Sequence, residues 1–167
     1  CEHAVCTAAV AALRASRIEP RLPGAMLSAL SSIGMCAYVK VFLAFDDDDS
    51  LANVDSAEYH LSERAPFHVW QRLATSNGLV LVGTAMGECA RRCEALLAAE
   101  LFDAAFRSLC ALWPLAPPPV AMHSTSWGSD PLFGGAYSIL PPNSLPMGFD
   151  VLTAPHGQLW LAGEAFH

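Results

Sequence analysis

The sequence predicts a mixed α/β or α+β chain, and two stretches and the order of the elements carry that prediction. Tyr38 to Phe45 reads as a strand, because aromatic and β-branched residues fill it and Lys40 is its one charge. Ala98 to Trp113 reads as an amphipathic helix. Leu101, Phe102, Ala105, Phe106, Leu109, Leu112 and Trp113 recur at helical spacing on one side, while Glu100, Asp103 and Arg107 take the other. Strands and helices follow one another elsewhere without the regular alternation of a parallel βαβ array.

Taken in order, Glu2 to Thr7 is apolar and short enough for a strand, and Ala8 to Arg14 makes one or two helical turns. Pro20 and Pro23-Gly24 break the chain before a helix over Ala25 to Ile33, which Gly34 is expected to stop. The strand over Tyr38 to Phe45 is apolar enough on both sides to be covered on both. Asp46 to Asp49 ends it, since four adjacent like charges favour water. This run lacks the alternating ligands and glycine of a calcium loop. Leu51 to His68 is polar and irregular. Asn77-Gly78 marks a hairpin turn before a strand over Leu79 to Val82. Helices follow over Glu88 to Leu97 and Ala98 to Trp113, and Pro114 ends the second. A strand over Pro119 to Thr125, a shaped loop over Trp127 to Tyr137 and a strand over Gln158 to Leu161 complete the pattern.

Composition bounds the function. The 167 residues are 53% hydrophobic and 15% charged, which excludes disorder. A net charge of -7 argues against a general binder of nucleic acid or anionic membrane. No apolar run reaches the roughly 18 residues of a membrane-spanning helix. The six cysteines are irregularly spaced, so thiols in an intracellular protein fit better than a disulfide framework. Cys89 and Cys93 share a helix face, but no second Cys or His pair has zinc spacing, and no metal site is expected. The six histidines show no ligand spacing, and no G-x-S-x-G elbow is present. The first residue is Cys1, no signal peptide precedes it, and Leu159 to His167 stops just after a strand. Both ends read as interior to a longer chain.

Three motifs, in order, resemble the flavin-containing amine oxidases, a family that includes polyamine oxidases, monoamine oxidases and flavin-type lysine demethylases. Ile33 to Phe45 is similar to the family's G-x-x-x-x-x-K-x-x-L-x-F strand. Trp127-Gly128-Ser129-Asp130-Pro131, continued by Gly134-Gly135-Ala136-Tyr137-Ser138, is similar to W-x-x-D-P followed by G-x-Y-S. Leu159 to Ala165 is similar to L-x-F-A-G-E-A. Fainter likeness at Leu22-Pro23 and Gly87 to Ala90 extends the resemblance over nearly the whole chain.

The resemblance implies a partial two-domain flavoprotein. Residues 1–16 would end a segment of the FAD-binding domain, 17–126 would form the substrate-binding domain, and 127–167 would supply an incomplete C-terminal FAD-binding segment. It implies FAD, an amine substrate and molecular oxygen, with a hydride equivalent passing from the amine and hydrogen peroxide released. By residue type alone, Lys40 would snorkel to solvent or pair with an acid. The resemblance makes it the lysine that holds a water against the flavin and assists reoxidation. Tyr137 is by type a buried aromatic with a satisfied hydroxyl; by resemblance it walls an aromatic cage, where a π face suits an ammonium. Trp127 would stand next to the flavin, Gly135 and Ala136 would permit close approach, and Val5 would lie near the adenine. Gly163 and Glu164 would open a helix toward the phosphate or ribityl chain. Ala136 occupies the place of the flavin-bonded cysteine of monoamine oxidases, which implies non-covalent FAD.

The chain also departs from the family. No G-x-G-x-x-G follows any strand, so the N-terminal FAD-binding half is missing. The helix that follows A-G-E-A, bearing a second cage aromatic, is missing too. Phe166 stands where small or hydroxyl residues are usual, and Asp46 to Asp49 replaces a more aromatic strand end. Alone, these residues are expected to be inactive. A degenerate, non-catalytic interaction module is the alternative. A flavin desaturase or porphyrinogen oxidase is disfavoured by Trp127 to Pro131 and Tyr137.

Overall fold

A computed structural model describes residues 2–46, 51, 54–55, 58–63, 66–73, 75, 78–142 and 149–166. Asp47 to Asp49 and the Asn77 of the expected hairpin turn lie outside the described residues. The chain divides into two compact units, Cys1–Cys36 with Trp127–His167, and Ala37–Ser126. Contacts therefore separate at residue 36/37, whereas the sequence reading set a boundary at 16/17. Residues 17–36 pack with the first unit because Leu22, Met26, Ala29, Leu30 and Ile33 share a core with Val10, Leu13, Leu152 and Leu161.

The second unit is a five-stranded antiparallel sheet. Its strands are β3 (Tyr38–Phe45), β4 (Tyr59–Leu61), β5 (Val69–Leu73), β6 (Leu79–Met86) and β7 (Ala121–Ser124), in the spatial order β4-β5-β6-β3-β7. Burial alternates along β3. Val39, Val41, Leu43 and Phe45 are buried, while Tyr38, Lys40, Phe42 and Ala44 stay half-exposed. This corrects the expectation of a strand covered on both faces: within its unit, the sheet packs a core on one side only, as antiparallel sheets commonly do. The core includes Leu51, Val54 and Phe67 from the stretch read as irregular. That stretch also holds β4. Three residues flanked by polar neighbours give too little period-2 signal to be seen, and β5 was likewise unassigned.

β6 runs four residues past the expected end at Val82, through Gly83. Glycine weakens a strand unless something replaces its missing side chain. Here the cross-strand partner is Trp70, fully buried, and a Cβ on Gly83 would fall 2.7–2.9 Å from that ring. The indole fills the space that glycine leaves.

Two helices pack on this core. α3 (Gly87–Glu94) buries Ala90 and Cys93, and α4 (Ala98–Cys110) buries Leu101, Ala105 and Leu109 at i, i+4 and i+8. The Glu100 carboxylate accepts from the Leu97 N–H at 3.0 Å and caps α4. α4 ends at Cys110, short of the expected Trp113, because the residue before Pro114 is pushed out of helical geometry.

The first unit holds two small sheets. β1 (Ala4–Cys6) pairs in parallel with β9 (Leu159–Leu161), and β2 (Gly34–Cys36) pairs antiparallel with β8 (Tyr137–Ile139). α1 (Val10–Ala15), α2 (Gly24–Ser32) and α5 (Phe149–Thr153) accompany them. Gly34 was expected to stop α2 just after Ile33. Instead Ile33 turns extended (φ -80°) and Gly34 enters β2 against Ile139. The last carbonyls of α2 are met by Arg14, whose guanidinium donates to Leu30 O and Ile33 O. β2, β8 and α5 were not read from sequence.

Two predictions follow from the second unit's core. Gly83→Ala drives a methyl into the Trp70 ring and should cost about 1–3 kcal/mol in denaturant melts; an unchanged midpoint would refute the tight contact. Burial, then Cys89, then Glu94 push the Cys93 thiol up from 9.0 to about 11. A thiol that stays protonated only when folded stabilises the fold below pH 9. Stability should therefore decline between pH 9 and about pH 11, as the unfolded chain ionises first. Cys93→Ala should flatten that decline relative to the parent.

Candidate functional site

The loop from Trp127 to Tyr137 is folded by its own polar groups. The Asp130 side chain accepts from the Leu132 N–H at 2.8 Å, and its carbonyl accepts from Gly134 N–H at 2.7 Å. Gly134 (φ +63°) and Gly135 (φ +153°) carry the chain onward. A Cβ on Gly134 would lie 2.7 Å from the Ala11 Cβ, and one on Gly135 would lie 2.7 Å from the Met35 Cβ. Only glycine fits this approach. Ala136 then donates its N–H to Cys36 O at 2.9 Å, and Tyr137 begins β8 in register with Cys36.

A second connection closes the site. After β9, Ala162 donates its N–H to Cys6 O at 3.0 Å, Gly163 turns at φ +115°, and a single 3-10 turn covers Glu164–Phe166. The Glu164 carboxylate accepts from Ser138 N–H at 3.1 Å and from the Ser138 hydroxyl at 2.9 Å. Ser138 was quoted in the motif without a role, and this staple gives it one. The carboxylate is thus engaged within the chain.

These two connections border a concavity of about 220 Å³ lined by Gly135, Ala136, Tyr137 and Glu164, together with Met35 and Phe133. Four sequence candidates meet there. Tyr137 is 38% exposed, not buried as its type suggested. Trp127 stands behind Phe133, edge to face at 5.3 Å between centroids. Gly163 lies between two lining residues, Ala162 and Glu164. Val5 does not line the concavity; it is 65% exposed on β1, opposite Trp160.

Lys40 belongs to the other unit. Its N–H donates to Thr125 Oγ1 and its carbonyl accepts from the Thr125 N–H, both at 2.9 Å. The side chain lies on the half-exposed face of β3, with Nζ 6.0 Å from the Tyr38 ring centroid. Among the described residues it has no acidic partner.

A concavity of about 220 Å³ is smaller than the roughly 300–1,000 Å³ of sites that enclose a drug-sized ligand. It is too small to enclose a whole dinucleotide. Among the described residues no group of three or more His, Cys, Asp or Glu is placed to hold a metal, and no helix is long and apolar enough to cross a membrane. The five described cysteines form no disulfide.

The sequence pattern described as "Flavin containing amine oxidoreductase" matches residues 1–167. The chain belongs to this family. Among its curated relatives is "Lysine-specific histone demethylase 1 homolog 2" of Oryza sativa subsp. japonica, 30% identical over 175 residues. That match covers 98% of this chain and 23% of the relative. An "L-amino-acid oxidase" of Vipera ammodytes ammodytes is 27% identical, with 96% and 34% covered. The chain therefore spans between a fifth and about a third of these relatives. Cyclohexylamine oxidase from Brevibacterium oxydans IH-35A superposes with a TM-score of 0.83 at 23% identity, covering 99% of this chain and 38% of that one. Putrescine oxidase bound to putrescine gives 0.83 at 18% identity, covering 95% and 36%. These likenesses show the fold, a partial domain of mixed helix and sheet shared with amine oxidases.

Replacing Glu164 by Ala should free the Ser138 amide. With water able to substitute at this exposed staple, the expected cost is about 1 kcal/mol, roughly a fivefold rise in Ser138 amide exchange. Exchange equal to the parent's would show that the staple does not hold β8.

Proposed function

We propose that the chain is part of an FAD-dependent amine oxidase that oxidises a C–N bond of a primary or secondary amine, polyamine-like in the first instance, and releases hydrogen peroxide. The observation that carries this reading is the concavity where Gly135, Ala136, Tyr137 and Glu164 meet, in a chain matched over its full length by the amine oxidoreductase family. Bound FAD would supply the two-electron acceptor, and molecular oxygen its reoxidant.

In this reading the first unit's residues 1–16 and 127–167 serve the FAD side, and residues 17–126 serve the substrate side. The exposed Tyr137 ring offers a π face to the substrate ammonium. The tight backbone at Gly135 lets a flat ring approach, with Trp127 supporting Phe133 beside it. Ala136 has no nucleophilic atom, which supports non-covalent FAD. Gly163 and Glu164 act through the turn they open, since the Glu164 carboxylate already serves Ser138. Val5 lies along the adenine end. Lys40 holds a water and supplies positive charge during reoxidation, and its lack of an acidic partner among the described residues leaves the ammonium available. A histone lysine is the second substrate reading, favoured by the name of the rice relative. A non-catalytic module is the other alternative, favoured by the absence of a G-x-G-x-x-G from these residues.

The full-length product decides between them. Flavin absorbance with peroxide release from spermine or a monoamine supports the oxidase, and a flavin-free, inert product supports the module. In the active enzyme, Lys40→Met should slow flavin reoxidation by oxygen about tenfold or more while leaving reduction near the parent rate. Equal reoxidation rates in stopped-flow traces would remove Lys40 from the chemistry.

A further inference from the structure

Cys89 and His68 are separated by 21 residues, yet their side chains meet: Sγ lies 3.8 Å from Nε2. The protonation of the ring is set from its other side. His68 Nδ1 is 3.2 Å from the Ser62 carbonyl, which can only accept, so Nδ1 carries the hydrogen of the neutral imidazole. Nε2 is left with its lone pair toward the thiol. The backbone holds this arrangement at two points, through Ser62 N–H to His68 O at 2.8 Å and His68 N–H to Thr84 O at 3.2 Å. The thiol therefore donates to a base whose orientation is itself fixed, the arrangement that activates nucleophilic cysteines.

The surroundings separate Cys89 from the other thiols. It sits in the first turn of α3, where the helix end favours a developing negative charge. Glu88 beside it is paired with Arg91 and Arg92, both at 3.4 Å. Cys89 is half-buried against the unit's core, whereas Cys93 one turn on is fully buried and held as a thiol.

From the His68–Cys89 pair we propose that Cys89 is a peroxide-reactive thiol that His68 deprotonates during attack and that is converted to a sulfenic acid. The thiol proton passes to His68 Nε2, and the sulfur forms a bond to one oxygen of hydrogen peroxide. The O–O bond breaks, and the departing hydroxide takes the proton from His68 to leave as water. Sulfur loses two electrons and peroxide gains them. The oxidant is of the class that the proposed oxidase releases, but the pair's chemistry stands without that reading.

The test adds hydrogen peroxide and dimedone to the chain and follows each cysteine by peptide mass spectrometry. Cys89 should be trapped about tenfold or more faster than Cys6 or Cys110, with Cys93 unlabelled. His68→Gln should bring Cys89 down to the rate of Cys110 and leave Cys6 and Cys110 unchanged. Cys89 reacting no faster than Cys6 and Cys110 in the unmodified chain overturns the proposal, whether or not His68→Gln folds. An unchanged Cys89 rate in a folded His68→Gln variant overturns it as well.

Discussion

The loop from Trp127 to Tyr137 has to pass within contact distance of Ala11 and Met35, and the first unit's site depends on that approach. With no Cβ at Gly134 and Gly135, the backbone comes close enough for Ala136 to bond Cys36 and for β8 to register against β2. Once β8 is in place, Ser138 meets Glu164, and the turn after β9 is joined to the same edge. Tyr137 stays 38% exposed at the border of the concavity. A methyl group at either glycine would disturb all of these contacts together, because they form in series.

The second unit is governed by a one-faced sheet. Alternation along β3 sends Val39, Val41, Leu43 and Phe45 into the core and leaves Lys40 on the half-exposed side. The core can afford this because Leu51, Val54, Phe67 and Trp70 close it from a stretch with little regular structure. Trp70 has a second role as the substitute side chain of Gly83, and through it β5 and β6 are held at full length. The same sheet brings His68, at the entry to β5, against Cys89 at the start of α3.

Local patterns were read well where one element declared itself. The eight residues of β3 and the buried stripe of α4 needed only their own pattern. Short elements were missed, since three residues of β4 or β8 carry too little pattern against polar neighbours. Glycines were read too simply. Gly34 looked like a helix stop and is a strand residue, and Gly83 looked like a strand end and is its middle, because in both cases the partner across the sheet supplies what glycine lacks.

By itself the sequence determined the mixed helix-and-sheet class, the motifs that place the chain among the amine oxidoreductases, and the residues to watch: Lys40, Trp127, Tyr137 and Glu164. The class rests on residue type and spacing, whereas the family and these four residues rest on the resemblance of the motifs; neither needs a tertiary contact to be read. Tertiary structure decided which of them meet, that Glu164 is spent on Ser138, that Val5 lies away from the concavity, and that His68 faces Cys89. Such pairings depend on contacts between residues far apart in the chain, and no local period encodes a contact whose two halves are brought together only when the core closes.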